Sequence, residues 1–98
     1  MLNTPVDFSL LKKVIIDFYA DWCGPCKKIA QKYHDLSREY TDIFFYKIDI
    51  DVYRQLAEEY NVRTIPCFIT LIDGKEESRL TGMSESKLED LVKELRGK

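Results

Sequence analysis

Cysteine is scarce in this chain, with three among 98 residues. An odd and sparse set does not make a secreted scaffold stapled by paired disulfides. No sign of charge dominates either: 15 Lys and Arg stand against 17 Asp and Glu, a formal net charge of -2. That balance provides no large positive field to draw in nucleic acid or anionic lipid, so neither is an expected partner. Long apolar runs are missing too, since those around Val14 and Cys67 are far too short to span a bilayer. The N-terminus carries Asn3, Thr4, Pro5 and Asp7 in place of a basic stretch and an apolar core, so it does not read as a secretory signal. A soluble cytoplasmic protein is the expectation. Repeats, low-complexity segments and linkers rich in Gly, Pro or Ser are also absent, which suits a single domain over residues 1–98. With 45% hydrophobic residues the chain can build one core, and it is too short for two.

What is present has a clear periodicity. Thr4 followed by Pro5 resembles a cap and first helical position, predicting a short helix over residues 4–11 that ends at Lys12 and Lys13. Residues 14–20, VIIDFYA, are apolar at nearly every position, the pattern of a strand covered on both faces, with Asp17 the exception. From Cys26, the small or apolar residues Ile29, Ala30, Tyr33, Leu36, Ser37 and Tyr40 recur at three- and four-residue steps and mark one face of a helix. Residues 43–48 predict a second buried strand. Asp51 then caps a short helix carrying Val52, Leu56 and Tyr60, stopped by Asn61. Residues 67–72 and 77–81 flank Asp73-Gly74, a hairpin signal that predicts antiparallel strands. Ser84 opens a last helix with the stripe Leu88, Leu91, Val92 and Leu95, and Lys93, Arg96 and Lys98 toward its negative end. Strand-helix-strand connections imply parallel pairing with right-handed crossovers, so the expected body is a mixed sheet with helices on both faces, an α/β fold.

Trp22-Cys23-Gly24-Pro25-Cys26 falls where the first strand gives way to the long helix. A thiolate there meets unpaired backbone N–H groups and the positive end of the helix dipole, both of which favour the ionised form. Cys23 is the expected nucleophile. Cys26, three residues on, lies close enough to displace whatever Cys23 captures, while Gly24 permits the turn and Pro25 fixes one backbone angle. Such a pair needs no metal and no organic cofactor. The competing use of C-x-x-C is half of a zinc site, which needs about four ligands. Only His34 and Cys67 remain to supply the others, and His34 lies off its helix's apolar stripe, where a solvated side chain is the simpler reading.

Residues 14–27, VIIDFYADWCGPCK, resemble the thioredoxin family almost residue for residue. The likeness continues through Tyr46-Lys47-Ile48-Asp49, residues 62–66, Asp73-Gly74 and Thr81-Gly82. It implies a thioredoxin-like three-layer fold and a protein-disulfide reductase working through a reversible Cys23-Cys26 disulfide. Its partners would be disulfide-containing proteins and a thioredoxin reductase or equivalent donor that passes on electrons from NADPH. It further implies a cis bond before Pro66, substrate pairing with the backbone of Ile65, and a flat docking surface made by Trp22, Gly24, Pro25, Ile65, Pro66 and Gly82. Asp17, a carboxylate in a strand covered on both faces, loses solvation and should hold its proton toward neutrality, which suits it to take the proton of Cys26. Lys47 on the neighbouring strand would tune that carboxylate.

The chain also departs from the family. The strand that usually opens the fold is missing or reduced to Met1 and Leu2. Gln31 replaces a frequent proline, predicting a straighter active-site helix. Cys67 follows Pro66 where threonine is common, and reads as a small buried filler. A monomer is the simplest expectation. An oxidase or isomerase of the same fold, and a binding module without turnover, are the competing functions.

Overall fold

The computed structural model describes residues Met1–Lys98. The run read as a doubly covered strand forms β1 (Lys13–Tyr19), in which Val14, Ile15, Ile16 and Phe18 are fully buried. It is central in a four-stranded sheet completed by β2 (Phe44–Asp49), β3 (Cys67–Ile72) and β4 (Lys75–Thr81), in the order β2-β1-β3-β4. β1 runs parallel to β2 and antiparallel to β3, and β3 to β4 is antiparallel. The sheet is therefore mixed, and the parallel pairing expected of both strand-helix-strand connections holds only for the first: β3 runs opposite to β2, with β1 between them. The hairpin turn has Asp73 at φ 51° and Gly74 at φ 83°, the pair of left-handed conformations that a two-residue type I′ turn needs.

Alternation along β1 sends its side chains into two cores. Ile15 packs with Ile29, Tyr33 and Leu36 of α1 (Gly24–Glu39) and with Leu88, Leu91, Val92 and Leu95 of α3 (Glu85–Arg96). Val14, Ile16 and Phe18 face the other way, toward Phe8 and the short α2 (Arg54–Glu59). Each fully buried aliphatic or aromatic side chain removed from water contributes about 1.5–3 kcal/mol, so the central strand anchors both layers. Ser84 caps α3 by accepting from the Lys87 N–H, and Lys93 and Arg96 occupy its last turn, as the charge pattern predicts.

Three further expectations are corrected. The helix over residues 4–11 is only a 3-10 turn, Phe8–Leu10, and its cap is Asp7. The Asp7 carboxylate accepts from the Ser9 N–H and hydroxyl, and β1 begins at Lys13, leaving too few residues to recover the cost of nucleating an α-helix. Asp51 does not cap α2, which starts at Arg54 behind Tyr53 with no side-chain cap, and Val52 is exposed. β2 is not covered on both faces throughout, because Phe44 is exposed at its start. Beside β2 the expected opening strand is reduced to one parallel bridge: Leu2 donates to the Phe45 carbonyl at 3.1 Å and accepts from Lys47 N–H at 2.7 Å. α1 continues unbroken past Gln31, whose amide donates to Asp35 one turn on at 2.8 Å.

Candidate active site

β1 ends at Tyr19 and α1 begins at Gly24, so the intervening turn delivers Cys23 to the helix N-cap. Pro25 sits in the first turn, where a helix has no use for the N–H that proline lacks. The Cys26 N–H points back to Cys23 Sγ at 3.2 Å, one of the otherwise unpaired donors of the first turn. The two sulfurs are joined in a disulfide, with Cα atoms 5.3 Å apart. Both cysteines are only 4% exposed and pack with Ala20, Tyr19, Ile50 and Ile65. Cys23 Sγ also lies 3.8 Å from the Ile65 carbonyl oxygen. Trp22 next to it is 69% exposed.

The expected docking residues come together. The Ile65–Pro66 bond is cis and Pro66 is buried. Gly82, at φ 101°, donates its N–H to the Pro66 carbonyl at 3.1 Å, which ties the end of β4 to the start of β3. Gly24 and Pro25 are exposed at the helix entrance, and Ile65 is half-buried against the two cysteines.

Asp17 is 1% exposed, and its Oδ1 has no hydrogen-bond partner in the protein. Burial pushes this carboxyl up to about 7, against a smaller opposing pull from the Lys47 charge. Asp17 and Lys47 are register partners on β1 and β2. Cys26, Tyr19 and Lys47 line a recess of about 100 Å³ between the sheet and α1.

Several other candidates lie apart from the pair. His34 is exposed on α1. Cys67 is free and buried in the α2-side core, where burial raises its thiol pKa. No group of three or more His, Cys, Asp or Glu is placed to hold a metal ion, and no helix is long and apolar enough to cross a membrane.

Sequence reasoning missed two contributors. Asp51 accepts the Trp22 indole N–H at 2.9 Å, so it braces the exposed ring instead of capping a helix. No local signal distinguishes the two uses of an aspartate in a turn. Tyr33 was legible only as apolar, yet its buried hydroxyl reaches the carbonyls of Ile15 at 3.1 Å and Tyr46 at 2.7 Å. It fastens α1 to β1 and β2 directly beside Asp17 and Lys47.

Comparison with known proteins agrees with this geometry. The family model described as Thioredoxin matches residues 7–95. "Thioredoxin Asp f 28" of Aspergillus fumigatus is 39% identical over 98 residues, covering 96% of this chain and 91% of that protein. "Thioredoxin-1" of Schizosaccharomyces pombe is 39% identical over 82 residues, covering 84% and 80%. Among solved structures, the thioredoxin of Plasmodium falciparum superposes with a TM-score of 0.87 at 37% identity, covering 89% of this chain and 85% of that one.

Proposed function

The chain belongs to the thioredoxin family, and from that premise we propose how its disulfide turns over and which partners it meets. It is a dithiol–disulfide oxidoreductase that reduces protein disulfides. In the reduced form the Cys26 N–H and the N-terminus of α1 favour the Cys23 thiolate. Cys23 attacks one sulfur of a substrate disulfide, and the other sulfur leaves as a thiolate that takes a proton from solvent. Asp17 accepts the proton of Cys26, whose sulfur attacks Cys23 Sγ. A new Cys23-Cys26 bond forms as the mixed disulfide breaks, and two electrons have passed to the substrate. A donor such as a thioredoxin reductase, drawing on NADPH, returns the pair to dithiol; the chain itself holds no cofactor in this scheme.

Trp22, Gly24, Pro25, Ile65, Pro66 and Gly82 form the docking surface, on which an extended substrate segment pairs with the Ile65 backbone. Support comes from their placement around Cys23, with exposed Val52 and Met83 next to Asp51 and Gly82. Lys47 tunes Asp17 from the neighbouring strand. We further read residues 1–98 as a single domain acting as a cytoplasmic monomer in electron transport to protein disulfides.

The observation that carries the reading is the disulfide at the α1 N-terminus, reached from a strand that carries a buried carboxyl with one oxygen lacking any hydrogen-bond partner. The test is reduction of insulin disulfides with NADPH and a thioredoxin reductase. The parent is expected to turn over, Cys23→Ser to be inactive, and Cys26→Ser to accumulate a mixed disulfide. Turnover that survives loss of Cys23 refutes the mechanism, and partner binding that survives loss of both cysteines without any turnover in the parent favours a binding module.

A further inference from the structure

Asp17 and Lys47 face each other in register on adjacent parallel strands. A carboxylate and an ammonium so placed would ordinarily meet. Here they do not: the ion pairs of the structure do not include them, and Asp17 Oδ1 has no partner. The Lys47 ammonium instead lies 4.5 Å from the centroid of the Tyr19 ring. Tyr19 is two residues beyond Asp17, on the same face of β1, and it forms one wall of the recess that Cys26 and Lys47 also line. A ring face attracts a cation through its quadrupole, most effectively where water is thinned.

We propose that Tyr19 is a positioning residue whose ring holds the Lys47 ammonium off the Asp17 carboxylate, leaving Asp17 without a counter-ion and able to take the proton of Cys26. The final clause rests on the function proposed above; the displacement of Lys47 does not. Other groups border the site. Tyr33 faces Asp17 from α1, Cys26 lines the recess with Tyr19 and Lys47, and Cys67 lies on β3. Lys27 and Asp21 line the recess, and Asp49 stands near the Tyr19 hydroxyl. Tyr33 keeps its proton, since burial holds its hydroxyl well above the ordinary range. Lys47 is the charge that acts on Asp17, and it acts against burial. Where its ammonium sits therefore sets how tightly Asp17 holds a proton.

The experiment follows the Asp17 carboxyl carbon by NMR titration in the oxidised protein, where no thiol titrates at the pair. In Tyr19→Leu the freed ammonium settles on Asp17, and proton affinity is expected to fall about tenfold. Tyr19→Phe keeps the ring face and restores the parent midpoint. On a Lys47→Met background, Tyr19→Leu moves nothing. An unchanged midpoint in Tyr19→Leu overturns the proposal, as does an equal fall on the Lys47→Met background, which would mean that the ring only keeps water out. The folded parent gives an independent reading: the Lys47 ε-methylene protons are expected upfield under the ring current, and ordinary positions for them also overturn it. The base role of Asp17 fails on a different result, an unchanged pH profile of disulfide reduction in Asp17→Asn, which leaves the Tyr19 titration standing.

Discussion

A carboxylic acid inside VIIDFY is visible without any structure, because every neighbour is of a kind that excludes water and none neutralises it. Its consequence for stability has a definite sign. The ordinary value for this acid is 3.8, and the folded chain raises it to about 7. Between those values the folded protein retains a proton that the unfolded chain has released. The associated stability is fully present below about pH 4 and is lost as pH rises through 7. Asp17→Asn, which mimics the protonated acid, is therefore expected to gain on the parent from pH 4 to 7 and to keep a constant advantage above that. Three pKa units at about 1.36 kcal/mol each set a ceiling near 4 kcal/mol, and an advantage of about 2–4 kcal/mol is expected. Urea midpoints of both proteins across this range measure it. The same scale shows where reading residues one at a time stops. Cys23, Cys26 and Asp17 announce themselves by type and setting, whereas Asp51 and Tyr19 act through side chains distant in sequence, the Trp22 indole and the Lys47 ammonium.

Elements were legible where periodicity ran long enough to outweigh local accidents. α1 and α3 have buried faces at three- and four-residue steps and sit where the stripes predict. The segment from Thr4 to Leu11 carried a helix-start signal but no stripe. Asp7 captured the turn instead, and no helix grew. The Ser84 cap is a clean test, because its hydroxyl oxygen accepts the Lys87 N–H at 3.3 Å on an exposed helix start. Ser84→Ala is expected to cost about 1 kcal/mol in chemical denaturation. Gly74 tests the hairpin. At φ 83° an added Cβ would also lie 2.8 Å from the Cα of Ser9, on the 3-10 turn packed beneath. Gly74→Ala is expected to cost about 2 kcal/mol or more, since left-handed strain and a backbone clash add. A smaller loss than Ser84→Ala would show that the turn and hairpin move apart freely.

At the scale of the whole molecule the strand order lay beyond sequence alone. Of two β-α-β readings only the one through α1 gives a parallel pair, and the placement of β1 between a parallel and an antiparallel partner is settled by pairing. Burial explains why the result is consistent with the pattern: the most uniformly apolar run takes the central position, where both faces are covered. That position divides the main apolar packing into two cores, one on each face of the sheet. Ile15 belongs to the α1 and α3 side, and Ile16 to the α2 side. Removing one methylene from each tests the division. Ile15→Val and Ile16→Val are each expected to cost about 0.5–1.5 kcal/mol, through lost transfer energy and an incompletely closed cavity. Although the two residues are neighbours in sequence, they share no packing partners, so the double variant is expected to lose the sum within about 0.5 kcal/mol. A larger departure in the denaturation cycle would mean that strain crosses the sheet. β1 would then transmit packing changes from the α2 side to the strand end that delivers Cys23.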